Sequence, residues 1–211
     1  MKFPALATVI LFTIWLNLTL NRVSDADHKN RLAFWKRESE SNSVRKKSLD
    51  GLNYIHIPID DLPFGSLEKN ITVLDCEKTI RDLSGESIVN LTGYTNTDLK
   101  LMYGTANITP LTAFDQNYTT LATTLNKWGK ELFNNEKYKE AQKVLEFAVE
   151  THTDVTETYK LLCTMYQNNL NFSEEEISRK LKALLPVADS LNSLSRDTIV
   201  KLINTNITSL Q

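Results

Sequence analysis

The first apolar pattern along the chain is continuous, not periodic. Residues 3–20, FPALATVILFTIWLNLTL, run for eighteen positions without a charge. At a helical rise of about 1.5 Å per residue this stretch approaches the hydrocarbon thickness of a bilayer, so it predicts a single N-terminal transmembrane helix over 1–21. Pro4 falls in the first turn, where its missing N–H costs nothing, and Thr8, Thr13 and Thr19 can bond back to helix carbonyls. Two other readings compete with an anchor: a buried soluble helix, and an export signal started by Lys2 whose cleavage would release a secreted soluble domain. No A-x-A pattern closes the apolar run, which favours retention.

From residue 22 to residue 48 the apolar pattern disappears. The stretch 28–47 combines seven Lys/Arg with Phe34 and Trp35, which predicts a charged juxtamembrane segment, helical in its first half, that is either solvated or laid against anionic headgroups. The positively charged flank of a membrane helix stays cytoplasmic. Here Lys2 precedes the helix, while Arg22, Lys29, Arg31, Lys36 and Arg37 follow it, diluted by Asp25, Asp27, Glu38 and Glu40. A single-pass location in the cell membrane is therefore expected, with the side of the body left open.

Residues 49–117 predict a mixed, irregular segment. Tyr54, Ile55, Ile57 and Ile59 favour extended backbone, and Pro58 and Pro63 exclude a central strand or helix. The apolar groups between 67 and 104 fit short helices or strands. One helix is expected after Thr97, with Asp98 in its first turn and Gly104 as its stop.

Helical periodicity begins at about residue 118 and continues to 211. Leu125, Trp128, Gly129 and Leu132 share one helix face, Asn134-Asn135 make a turn, and Tyr138, Ala141, Leu145 and Ala148 mark a second helix. Thirty-four residues after the first set stand Tyr159, Leu162, Cys163, Tyr166 and Phe172. The small Gly129 and Cys163 allow close helix approach, and Tyr138 and Phe172 suit the hairpin ends. Ser173 and Glu176 form a capping-box pattern that starts the next helix two residues late, at Ile177, Leu181 and Leu184. Leu194, Ile199, Leu202 and Ile203 predict a last amphipathic helix that caps the stack. Two hairpins are few for independent stability, so segment 49–117 is expected to pack on them.

These positions resemble the tetratricopeptide repeat: Trp128-Gly129, Tyr138, Ala141 and Ala148 match its hairpin in frame, with Thr153 where a unit-ending proline is usual. The resemblance covers about 70 residues, one and a half units, and extends to membrane-anchored repeat proteins of low-GC Gram-positive bacteria, whose roles are mostly unassigned. It implies a mainly α fold and a membrane-tethered scaffold for protein–protein interaction. Lys127, Lys130, Glu131 and Lys160 are the expected polar contacts for an unknown protein partner.

Composition narrows the chemistry further. With 211 residues, 41% hydrophobic and 24% charged, the chain supports one modest core plus a tail. A formal net charge of -2 without a basic stripe argues against nucleic acid. Cys76 and Cys163 stand apart, and His28, His56 and His152 have no close Cys or His partners, so no metal-ligand spacing exists. Six glycines leave little material for a phosphate cradle, and no G-x-S-x-G occurs. Glu174-Glu175-Glu176 suit a helix N-terminus without any catalytic duty. No cofactor, metal or catalytic residue is expected. The alternative is an enzyme or enzyme subunit with its site in 50–104, around His56, Asp60, Asp61 and Tyr94, which have no recognised spacing.

Overall fold

The computed structural model describes residues 3–210, without the side chains of residues 3–7, 9, 17, 18 and 21–26. The anchor expected at 3–20 therefore falls partly outside the described residues. Among the described residues no helix is long and apolar enough to cross a membrane. The chain is mainly helical and divides into two compact units, one comprising residues up to Ser48 together with Thr95–Ile108, the other Leu49–Tyr94 together with Thr109 onward.

In the first unit α1 spans Phe3–Asn42. It runs unbroken from the apolar stretch through the charged one because no glycine or proline occurs between Ala5 and Leu49 to stop it. α3, Asn96–Tyr103, starts two residues before the position expected for it. Its cap is Thr95, whose hydroxyl accepts the Asp98 N–H (3.2 Å) while the Asp98 carboxylate accepts the Thr95 N–H (2.9 Å). This reciprocal pair satisfies two helix-end donors at once. α3 docks on the end of α1 through Lys100–Glu38 and Arg37–Asp98 ion pairs and a 2.7 Å bond from the Thr97 hydroxyl to Glu38. Gly104, at φ +89, stops α3; a Cβ there would come within 2.3 Å of the Arg45 carbonyl oxygen. Only glycine lets the chain turn so close to the 45–47 backbone. A 3-10 turn, Thr105–Asn107, follows, and the Asn107 amide donates to the carbonyls of Lys47 (2.7 Å) and Tyr103 (2.8 Å).

The second unit contains α2 (Ile71–Leu83), α4 (Ile108–Asn134), α5 (Tyr138–Glu150), α6 (Thr156–Asn168), α7 (Glu174–Ser190) and α8 (Arg196–Thr208). No strand forms among the described residues. One antiparallel bridge joins Tyr54 and Val89, and Ile55 donates its N–H to the Ile88 carbonyl (2.9 Å). Ile55, Ile57 and Ile59 all pack against the core, with a tight turn about Pro58 in which Ile59 N–H donates to the Ile57 carbonyl (3.0 Å). Leu62, Val73, Cys76, Ile80, Leu83 and Ile88 share that core with the buried residues of α4–α8. Phe64 stands 5.1 Å from Trp128 between ring centres, and the Arg81 guanidinium lies over the Phe64 ring, 4.1 Å from its centre.

α4 and α5 approach at Gly129, where a Cβ would come within 2.4 Å of Leu145 Cδ2. Phe133 and Tyr138 meet edge-on at 5.5 Å beside the turn, in which Glu136 adopts φ +60. In the next hairpin Tyr166 and Phe172 meet at 6.1 Å. α7 begins at a capping box in which Ser173 N–H donates to Glu176 (3.1 Å) and Glu176 N–H to the Ser173 hydroxyl (3.3 Å). α8 packs on α6 and α7, burying Ile199 and Ile203, with Leu202 half-buried. Leu194, expected on that buried face, instead lies before α8 with a fully exposed side chain. The helix starts at Arg196, so Leu194 is outside its period.

Candidate functional site

The residues that define the repeats form core. Leu125, Trp128, Gly129, Leu132, Ala141, Leu145, Ala148, Tyr159, Leu162, Cys163 and Tyr166 are buried, and Tyr138 and Phe172 are half-buried at the hairpin ends. Burial pushes the Cys163 thiol up to about 11 and raises that of Cys76. Both are therefore thiols, inert as nucleophiles near neutrality.

The four polar positions expected to meet a partner fall into two pairs. Lys127 and Lys160 are exposed. Lys130 instead forms an ion pair with Glu157 across α4 and α6 (2.7 Å), holding that carboxyl below its usual range, and Asn126 accepts a bond from Thr158 beside it (3.1 Å). Glu131 accepts a long 3.5 Å bond from the Asn70 amide ahead of α2. Lys130 and Glu131 therefore tie elements together, and among the described residues Lys127 and Lys160 form no ion pair.

His56, Asp60 and Asp61 are exposed along the extended segment, and Tyr94 is 49% exposed at its own turn. Among the described residues no group of three or more His, Cys, Asp or Glu is placed to hold a metal ion.

Two polar arrangements were not anticipated from the sequence. At the meeting of α5, α6 and α7, Glu146 Oε1 accepts from Gln142, Tyr166 and Lys180, each at 2.8 Å. Lys180 also lies 5.3 Å from the Tyr166 ring centre and 5.6 Å from that of Phe172. Burial alone would raise the Glu146 pKa, but the hydrogen bonds from Lys180, Gln142 and Tyr166 outweigh it and hold the carboxyl below its usual range. Tyr166 is pushed up by its burial and by that carboxylate.

The second arrangement is a cleft of about 480 Å³ whose lining includes Tyr54, Asn90, Glu150, His152, Asp154 and Ser193. His152, at φ +57, turns the chain out of α5. Its carbonyl accepts from Tyr118 (3.0 Å) and from Asn90 (3.2 Å), which also holds the Thr151 carbonyl (3.3 Å). The Ser190 hydroxyl lies 2.7 Å from the Val187 carbonyl and 3.2 Å from His152 Nδ1. Asn192, also in the lining, packs against Gly93, at φ +88, where a Cβ would come within 2.2 Å of the Asn192 amide nitrogen. No local signal marks this cleft, since most helices of the chain, not only α5 and α7, end without a basic residue in the last turn. That the two ends meet depends on tertiary packing.

No family model, curated protein or solved structure matches the chain.

Proposed function

We propose that the chain is a membrane-tethered protein–protein interaction module, a short tetratricopeptide-like scaffold to which no catalytic step is assigned. The observation that carries this reading is the pair of helical hairpins α4–α5 and α6–α7, repeated at an interval of thirty-four residues in their first helices, with Lys127 and Lys160 exposed on α4 and α6. Helical hairpin stacks commonly receive a peptide or helix on one surface, and an exposed charged side chain can meet a ligand there. The anchoring half of the proposal rests on the eighteen uncharged residues 3–20.

Crosslinking in intact membranes followed by pull-down of the full chain tests the scaffold. One or more proteins should be recovered above control, and Lys127→Glu with Lys160→Glu should reduce the yield; recovery of nothing above control would overturn the reading. Alkaline carbonate extraction tests the anchor, since a spanning helix stays in the pellet and release to the supernatant would remove it. Cys76 and Cys163 are too buried to report which side the body occupies. Lys182→Cys, at an exposed position of α7, gives an impermeant thiol reagent a target.

A further inference from the structure

α1 runs as one helix to Asn42, yet among its described side chains only Ser41 is buried. Its last two turns are held to α3 by polar groups: Arg37 and Glu38 pair with Asp98 and Lys100, and Asn42 accepts from Lys100 (2.9 Å). Ahead of that junction, where the apolar run has already ended, Leu32, Phe34 and Trp35 are 57%, 57% and 64% exposed. Leu32 and Arg31 stand three and four residues before Trp35, and Arg31 three before Phe34, so the four share one broad side of the helix. Lys29 and Lys36 flank Leu32 one turn away on either side. Among the described residues Asp27, Lys29 and Arg31 form no ion pair, and Lys36 reaches only Glu40, at 4.0 Å between exposed side chains. Glu38, one turn after Phe34 and Trp35, is committed to Lys100 and Thr97. Aromatic rings around an arginine are the composition of protein interfaces and not of ordinary free surface.

Geometry decides between a lipid surface and a protein as the occupant. With residues 3–20 in the bilayer, a continuous α1 carries Leu32, Phe34 and Trp35 about 18–22 Å past Leu20. A tilt of about 40° still leaves them about 14 Å out, beyond a headgroup layer about 5–8 Å deep. A second copy in the same membrane runs parallel and sets Lys29, Arg31 and Lys36 against themselves, which selects against self-pairing. We propose that this side of α1 binds an acidic helix of a different membrane protein, with apolar side chains against Leu32 and Trp35 and carboxylates against Lys29, Arg31 and Lys36. The proposal rests on the tethered interaction-module reading and names the chemistry of its partner.

The test uses the full chain in phosphatidylcholine nanodiscs, titrated with a fluorescein-labelled helical peptide that has leucines along one face and glutamates beside them, and with its lysine counterpart on the same leucines. The glutamate peptide should bind at least about tenfold more tightly than the lysine peptide. Leu32→Ala with Trp35→Ala should weaken it at least about tenfold with the circular dichroism unchanged, both side chains being more than half exposed. Arg31→Glu with Lys36→Glu should reverse the preference in favour of the lysine peptide. Equal binding of the two peptides, no binding of either, or affinities that ignore either double variant would overturn the proposal. So would a nitroxide on Trp35→Cys that phosphatidylserine nanodiscs shield from a water-soluble nickel chelate, because headgroups then occupy the face. Cys76 and Cys163 are buried and do not compete for the label. Partner capture that responds to Lys127→Glu with Lys160→Glu and not to Leu32→Ala with Trp35→Ala defeats this inference alone. Glutamate-peptide binding that obeys both double variants, in a chain that alkaline carbonate extracts, defeats the tether alone.

Discussion

In the first hairpin α4 and α5 meet where Gly129 faces Leu145, with no room for even a Cβ between them. The equivalent position thirty-four residues on is Cys163, buried and two atoms larger. Trp128 fills the core of the first hairpin where Leu162 serves in the second, and α5 starts without a side-chain cap where α7 has a full capping box. The first hairpin is thus specified mainly by packing and the second more by polar local signals. A two-residue insertion before α7 explains the trade, since the lengthened turn needs a defined start that close packing does not supply.

Trp128→Ala should have the largest effect, lowering stability by about 3–5 kcal/mol as expected for a fully buried aromatic. The measurement is urea denaturation followed by circular dichroism, and a loss below about 1 kcal/mol would show that packing does not dominate the first hairpin. Gly129→Ala comes next. The added methyl must displace Leu145, so overpacking of about 1–3 kcal/mol should outweigh the gain in helix propensity, whereas Cys163→Ala removes one buried atom at about 1 kcal/mol. Equal costs for the two would mean that both hairpins approach alike. Ser173→Ala should cost about 1 kcal/mol through loss of the α7 cap, and Lys137→Ala, at the uncapped start of α5, should stay within about 0.5 kcal/mol.

Local signals in the sequence were enough to place the helical hairpins, the α7 capping box and the α3 stop at Gly104. Each is decided within one or two turns by periodicity, a cap or a glycine. Thr95 and Thr97 are both threonines near Asp98, and only the three-residue spacing of the reciprocal bonds separates the cap from its neighbour. The unbroken course of α1 was not foreseen, although the absence of glycine and proline from Ala5 to Leu49 permits it. The Glu146 network and the His152 cleft were out of reach for another reason: Asn90, Glu150 and Ser190 are about 100 residues apart at the extremes and meet only through the packing of three segments. The same holds for Lys130 and Glu131, whose partners, Glu157 and Asn70, are distant in the chain.

The smallest effect, and the one that sharpens the polar side of the comparison, is the pH dependence carried by Glu146. Its carboxyl titrates below the ordinary value of 4.5 in the folded chain, because Lys180, Gln142 and Tyr166 donate to the charged form. The unfolded chain therefore takes up the proton first as pH falls. The stabilisation is complete above the unfolded value and is lost as pH drops through the folded one. Glu38, Asp98 and Glu157 are shifted in the same direction, so the whole chain weakens over that window and the Glu146 share has to be isolated by difference. Comparing the urea midpoint of the chain with that of Glu146→Gln does so: the gap should be constant above about pH 5 and narrow progressively below 4.5. A gap independent of pH would mean that the Lys180 contact does not hold the carboxylate in its charged form, and that the rings of Tyr166 and Phe172 alone keep Lys180 against the second hairpin.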